Sequence, residues 1–359
     1  MAKVKIAIDI SPTQDGNAVR GIGYFTSRLV PAMQQIIKTD PEYKDWQLDL
    51  IRNSKLEIRN FDLVHYPFFD PFKRTLKVNS SIPTIVTVYD LTPRQFKKHY
   101  PVGIKGELNW LSQKHQLKKT NLLVTCSHYS KFVISDLTGY PTDRIYVTPG
   151  AADPSFKVIG DKNKLKKISQ KYHLSKKFVL FVGDIDWNKN IPNLVKACFK
   201  LKYPLVIVGS AAVQKNVPDH PWTTDLRWLQ SQKSNPLLTL TGFVPDADLP
   251  AIFNLATIYC QPSYAEGFGL PLVQAMASAC PTIFSQETSL PEISNFSGLM
   301  FNPYNPKSLT HALKKLWNSP KLQQEFVKKG LNRAKHFTWK LTARQTLAVY
   351  QLALLSHEK

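Results

Sequence analysis

The sequence predicts an α/β chain of two doubly wound β/α/β domains, and three observations carry that expectation. An apolar, β-branched run, Val4-Lys5-Ile6-Ala7-Ile8-Asp9-Ile10, ends at Ser11-Pro12. Past a polar loop to Arg20, Gly21-Ile22-Gly23 opens a helix-periodic stretch through Leu29, Val30, Met33 and Ile36. The same alternation restarts at Phe178-Val179-Leu180-Phe181-Val182-Gly183, with a polar loop, a helix to Lys200 and a strand over Leu205–Gly209. A chain of 359 residues is long enough for each half to bury its own core.

Composition narrows the class of protein. With 43% hydrophobic and 20% charged residues the chain reads as an ordinary soluble globular protein. No apolar run approaches the roughly 20 residues needed to cross a bilayer, and Met1 to Lys5 leads into a strand rather than a signal peptide, so a cytoplasmic protein is expected. Cys126, Cys198, Cys260 and Cys280 lie far apart in apolar segments, which suits reduced, buried thiols. The net charge of +21 is shared by both halves. It admits nucleic acid, an anionic membrane surface or a phosphorylated substrate as partner. No nucleic-acid-binding signature accompanies the charge, which makes nucleic acid the weakest of the three.

Phe61 to Tyr66 and Pro83 to Asp90 read as further buried strands of the first domain. Ligands of doubly wound sheets sit at the carboxyl ends of strands, so His65 and Asp90 are candidates to face a site, each through hydrogen bonding. Gly21 and Gly23 either let the backbone approach a phosphate or sugar closely or only supply a helix entry. Ile104, Leu108, Leu111 and Leu117 form an apolar stripe interleaved with Lys105, Lys114, Lys118 and Lys119. That stripe reads either as a helix packed on the sheet or as a basic surface resting on anionic lipid.

In the second half, Asp184-x-Asp186 is a weak metal signal, and no metal site is expected. Lys189 reads either as an exposed surface lysine or as a point charge placed on a diphosphate. From Pro262 to Ala277 the chain runs Pro-Ser-Tyr-Ala-Glu-Gly-Phe-Gly-Leu-Pro-Leu-Val-Gln-Ala-Met-Ala. Gly267 and Gly269 precede a helix start with Pro271 near its first position, where the missing N–H costs least. The amides of Gly267, Phe268, Gly269 and Leu270 then face outward with the positive end of the helix dipole, which favours a phosphate. The alternative reading is a plain strand-to-helix turn.

From Leu238-Thr239-Leu240-Thr241-Gly242-Phe243-Val244 through Glu266 to Leu290-Pro291-Glu292, the chain resembles the donor half of family 4 retaining glycosyltransferases. Their signature is a glutamate, seven residues and a second glutamate; here Glu266 is the first and Gln274 stands at the second. The resemblance implies the GT-B fold, two Rossmann-like domains facing a cleft: residues 1–160 on the acceptor side, 161–335 binding the nucleotide-sugar donor, and a helix in 336–359 crossing back. It implies sugar transfer from a nucleoside diphosphate sugar, with mannose from GDP-mannose as the specific expectation, to a glycan or lipid-linked glycan. No cofactor beyond the donor is implied, and the place implied is the cytoplasm, with the inner face of the membrane as a peripheral site.

By that resemblance Lys189, Glu266, Asp90 and His65 are the catalytic set. Gly21, Gly23, Gly183, Asn188, Val244, Gly267, Phe268, Gly269, Leu270 and Gln274 line the donor. The chain departs from the family at Tyr24, where arginine is usual, and at Tyr89, where histidine is usual. A second basic residue beside Lys189 would fall at Asn188 or Asp184, and neither is basic. Those departures leave a non-catalytic nucleotide-sugar or glycan binder as the alternative.

Overall fold

The computed structural model describes residues 3–14, 21–52, 58–78 and 81–357; residues 15–20 of the polar loop before Gly21 lie outside this set. The chain forms two compact units. The first comprises Met1–Gln95, Val102–Gly150 and Thr338–Lys359, and the second comprises Phe96–Pro101 and Ala151–Phe337. Each contains one six-stranded sheet, parallel throughout and covered by helices, so the architecture is a pair of Rossmann-like domains.

In the first unit the strands are β1 (Val4–Asp9), β2 (Trp46–Ile51), β3 (Leu63–Tyr66), β4 (Thr84–Thr87), β5 (Leu122–Thr125) and β6 (Ile145–Val147). Their order is β2-β1-β3-β4-β5-β6. Every residue of β3, β4 and β5 is buried, as continuous apolar strands covered on both faces must be. The Gly21–Thr39 helix buries Phe25, Leu29, Val30, Met33 and Ile36, the face its periodicity predicts. The Trp339–His357 helix packs along it and reaches β3, β4 and β5. The Gly103–Leu117 helix departs from the packed-stripe reading: Leu117 is buried, but Ile104, Leu108 and Leu111 are exposed, and Gly106, Trp110 and Gln113 face inward instead.

His65, expected at a site, is a core residue. It has no exposed surface; its Nδ1 lies 2.6 Å from the Tyr350 hydroxyl and its Nε2 lies 2.8 Å from Thr87 Oγ1. Both ring nitrogens are therefore committed, and a strand wholly covered by helices gives the side chain no way out. Tyr89 likewise points inward, edge-on to Phe25 at 5.1 Å between ring centroids, and burial raises its phenol well above the ordinary range.

In the second unit the strands are β7 (Val179–Val182), β8 (Leu205–Val208), β9 (Leu238–Gly242), β10 (Ile258–Gln261), β11 (Thr282–Ser285) and β12 (Leu299–Phe301), ordered β12-β11-β10-β7-β8-β9. Chain order reverses between β7 and β10, which pair directly. The loops leaving those two strands therefore emerge side by side at the point where doubly wound sheets bind ligands. One core underlies both, with Val179, Phe181, Leu194, Ile207, Cys260, Ile283 and Leu313 in it. All four cysteines are buried free thiols.

Burial lowers the His65 imidazole from 6.5 to about 3, so it stays neutral where an unfolded chain's histidine takes up a proton. Stability tied to this group is complete above pH 6.5 and is lost as pH falls toward about 3, at up to roughly 1.4 kcal/mol per pH unit. A His65→Gln variant lacks that loss. Urea midpoints compared at pH 7 and pH 5 are expected to fall further for wild type than for the variant, and parallel acid profiles would refute the assignment.

Candidate active site

The site is built where β7 and β10 end. The chain leaves β7 through Gly183, whose backbone at φ +150° passes so near β8 that a Cβ on Gly209 would stand 2.3 Å from the Gly183 carbonyl oxygen. A tight turn over Trp187–Lys189 follows, and Asn190, at φ 56°, leads into the Ile191–Leu201 helix. From β10 the loop Pro262 to Gly269 enters the Leu270–Ala277 helix. Gly269 takes φ +89°, a conformation that favours glycine, and a Cβ there would lie 2.7 Å from Leu290 Cδ2 and push that side chain aside. Pro271 sits in the first turn of that helix.

Hydrogen bonds stitch the two loops together. The Tyr264 N–H donates to the Asn188 carbonyl at 2.7 Å, and Asn188 Nδ2 donates to the Ala265 carbonyl at 2.8 Å. Asn190 Nδ2 donates to the Pro262 carbonyl at 2.9 Å, and Asn193 Nδ2 donates to the Tyr264 hydroxyl at 3.0 Å. Between these neutral bonds lies one ion pair: Lys189 Nζ reaches the two Glu266 carboxylate oxygens at 3.0 and 2.8 Å. Glu266 Oε1 also accepts from Gln261 Nε2 and Ser263 Oγ, each at 2.6 Å, and Tyr259 donates its hydroxyl to Gln261. The Glu266 backbone is held as well, its N–H by Thr288 Oγ1 and its carbonyl by Ser289 Oγ.

The electrostatics follow from this packing. Burial opposes the charge on Lys189, but the Glu266 carboxylate in contact, with Asp186 and Asp184 beyond, outweighs it and holds the ammonium above its ordinary range. Asp225 is raised to about 6, first by burial and then by Asp186, with Lys196 acting against both. Among the described residues no group of three or more His, Cys, Asp or Glu side chains is placed to hold a metal ion.

A second layer supports the turn from behind. The Trp187 ring lies flat between His99, 3.6 Å away between centroids at 8°, and Tyr264, 4.9 Å away at 21°. Tyr264 continues the stack to Tyr304 at 5.2 Å. The Tyr100 hydroxyl donates to Asn188 Oδ1 at 2.7 Å and accepts from the Asn188 N–H at 3.2 Å. His99 and Tyr100 belong to the short Phe96–Pro101 segment that the second unit takes from the first half of the chain.

Of the residues singled out by sequence, Lys189, Glu266 and the amides of Gly267 to Leu270 share this corner, with Gln274 one turn into the same helix and 5% exposed. Phe268 packs edge-on against Phe337 at 5.8 Å. Gly183 is at the β7 exit. Val244 is buried beyond the end of β9, while Phe243 beside it is exposed. Asn188 is next to Lys189, but its amide is spent on Ala265 and Tyr100, so it braces the turn where the resemblance placed a ligand contact. In the first unit, Asp90 is exposed and accepts the Thr92 N–H at 2.9 Å, closing the turn before the Thr92–Gln95 helix. Gly21 and Gly23 open the first helix; Gly21 has open space where a side chain would be, and Gly23 is buried. Sequence reasoning missed Tyr100, Asn190, Asn193, Gln261 and Ser263. The amide-rich run Asn188-Lys189-Asn190-x-x-Asn193 was the signal for two of them, since three closely spaced amides at a loop and helix start need partners.

Comparison with known proteins adds two kinds of finding. A profile of Glycosyltransferase Family 4 matches residues 11–156, and a profile of Glycosyl transferases group 1 matches residues 156–333. Among curated relatives, the O-antigen chain mannosyltransferase B of Escherichia coli is 26% identical over 279 residues, 75% of this chain and 70% of its own length. The serotype-specific mannosyltransferase WbdA of Escherichia coli is 26% identical over 286 residues, 77% of this chain but 34% of that longer protein. Among solved structures, sucrose-phosphate synthase from Thermosynechococcus elongatus superposes with a TM-score of 0.75 at 16% identity over 99% of this chain and 100% of its own. HepE from Anabaena, solved with UDP and glucose, gives 0.74 at 14% identity over 97% and 99%. These structural likenesses establish the fold as GT-B.

Because Lys189 and Glu266 are both largely buried, removing one partner strands the other. Lys189→Met is expected to cost on the order of 3 kcal/mol in denaturant unfolding, and Lys189→Met with Glu266→Gln much less than the two single changes together. Additive effects in that double-mutant cycle would show that the pair is not coupled.

Proposed function

We propose that this chain, which belongs to the family 4 glycosyltransferases, moves mannose from GDP-mannose to a glycan or lipid-linked glycan with retention of anomeric configuration. The observation that carries the reading is the placement of the Lys189 ammonium beside the Gly267–Leu270 turn, at the reversal point of the second sheet. The mannose assignment draws on the two mannosyltransferase relatives.

In sugar transfer from a nucleotide sugar the departing diphosphate gathers the developing charge. Fixed cations and outward-facing amides aimed at that charge are the largest catalytic lever available to a protein. Lys189 supplies the cation, and the positive end of the helix dipole at the Gly267–Leu270 turn adds to it. In this reading the ammonium and the helix dipole, rather than a metal ion, offset the charge that develops on the phosphates. Glu266, already Lys189's partner, receives hydroxyls of the donor sugar. When phosphates draw the ammonium away, carboxylate lone pairs are released to accept from the sugar.

Gln274 addresses the ribose, accepting from one hydroxyl and donating to the other where a glutamate would accept from both. The turn at Gly242, Phe243 and Val244 meets the base edge, and Gly183 leaves room for the backbone to approach the donor. Asp90 addresses the acceptor sugar, and the Gly21 and Gly23 helix entry lets the backbone approach the donor. Retention proceeds by front-face departure and attack, which needs no enzymic nucleophile. His65 has no part in this scheme, since its ring is sealed in the core.

Gln274, Tyr89 and the missing second basic residue beside Lys189, three of the departures from the family pattern, favour one second reading: a nucleotide-sugar or glycan binder without turnover. A thermal-shift panel of nucleotide sugars followed by turnover assays separates the two. GDP-mannose is expected to give the largest shift and a transferred sugar whose anomeric proton matches the donor. Binding without transfer to any glycan or lipid acceptor would leave the binder reading standing. With turnover in hand, Lys189→Ala is expected to lower kcat by about 100-fold or more. A rate unchanged in that variant would remove Lys189 from the diphosphate.

A further inference from the structure

We propose that the outer face of the Gly103–Leu117 helix is a docking surface for an anionic lipid bilayer. The helix has two apolar rows. Gly106, Trp110, Gln113 and Leu117 face the core of the first unit. Two residues earlier at each step, and so about 200° around the helix, come Ile104, Leu108 and Leu111. They are 82%, 55% and 60% exposed. Three large aliphatic side chains at i, i+4 and i+7 on one exposed row are more than the scattered apolar residues any surface carries.

The charges around that row are mainly cationic. An open cavity of about 510 Å³ beside it is lined by Lys73, Arg74, Lys105, Leu108 and Asn109, so apolar and cationic side chains share one rim. The geometry of the rim is fixed. Arg74 Nε donates to Asn109 Oδ1 at 3.1 Å, Asn109 Nδ2 donates to the Phe72 carbonyl at 2.8 Å, and the Leu76 N–H donates to Gln113 Oε1 at 2.9 Å. The nearby acids are paired: Glu107, the helix's only acid and itself on the exposed row, pairs with buried Arg94 at 2.6 Å, and Asp70 lies 3.5 Å from Lys73, so one acid offsets part of the charge of the Lys73, Arg74 and Lys105 cluster.

An anionic bilayer matches this pattern as other partners do not. A polyanion has no use for three exposed aliphatic side chains, and an apolar peptide has none for three clustered cations. A bilayer interface presents phosphates and hydrocarbon within the reach of one helix diameter, where lysine and arginine stems extend along the apolar surface and place their charges at the headgroups. Among the described residues no helix is long and apolar enough to cross a membrane, so the mode is a helix lying on the surface. Docking there would bring the first unit to a lipid-linked acceptor. The test needs no donor and no turnover, so it stands or falls apart from the catalytic reading.

Flotation of the full chain with vesicles of phosphatidylcholine alone, or with about 30% phosphatidylglycerol, tests this directly. Wild type is expected to float with the anionic vesicles and not with the neutral ones, and to be released as salt rises. Two variants, Ile104→Ser/Leu108→Ser/Leu111→Ser and Lys73→Glu/Arg74→Glu/Lys105→Glu, are each expected to lower the floated fraction at least tenfold, with circular dichroism unchanged because the altered side chains are exposed. No flotation of wild type, equal flotation with neutral vesicles, or wild-type binding by either folded variant would overturn the proposal. Tight heparin binding that survives the serine variant, without vesicle binding, would instead mark a polyanion site and overturn it equally.

Discussion

The ion pair between Lys189 and Glu266 is the contact on which the second unit's site depends. Neither residue is near the other in sequence; 77 positions separate them, and the sheet's reversal between β7 and β10 is what closes that distance. Once the two loops leave adjacent strands, four neutral hydrogen bonds, three donated by Asn188, Asn190 and Asn193 and one by the Tyr264 N–H, hold them in register around the charged pair. The carboxylate is further fixed by Gln261 and Ser263. A lysine so placed has lost much of its solvation and most of its rotamer freedom during folding.

The same pair explains how a chain lacking the family's second basic residue can still support the turn. Asn188, which stands at one of the two positions where that residue would fall, has become a structural clamp. Its partner, Tyr100, comes from a six-residue segment of the first half of the chain that packs with the second unit, alongside His99 stacked on Trp187. A neutral amide at this position adds no charge beside Lys189 and can both donate and accept.

Most of the fold was legible in the sequence because parallel sheets covered on both faces must be built from continuous apolar runs, and such runs stand out. The strand at Phe178–Gly183 and the helix-periodic stretch after Gly21 are of this kind. The candidate site was legible in part. Lys189, Glu266 and the Gly267–Leu270 helix start carry their chemistry in local spacing, whereas Tyr100, Gln261 and Ser263 carry none. A buried hydroxyl or amide looks like any other until its partner is known. The stripe at Ile104, Leu108 and Leu111 shows the converse limit, since helical periodicity tells that residues share a face but not which face meets the core.

What the sequence by itself determined was the alternation of strand and helix, the two-domain plan and the chemistry available at strand ends. These follow from local spacing and from which side chains can be buried. Tertiary structure decided the rest. It sealed His65 between Tyr350 and Thr87, turned an apolar row outward on the Gly103–Leu117 helix, and joined Lys189 to Glu266. Each of these depends on which elements become neighbours, and neighbours are chosen by the packing of whole sheets and helices, a property that no short stretch of sequence contains.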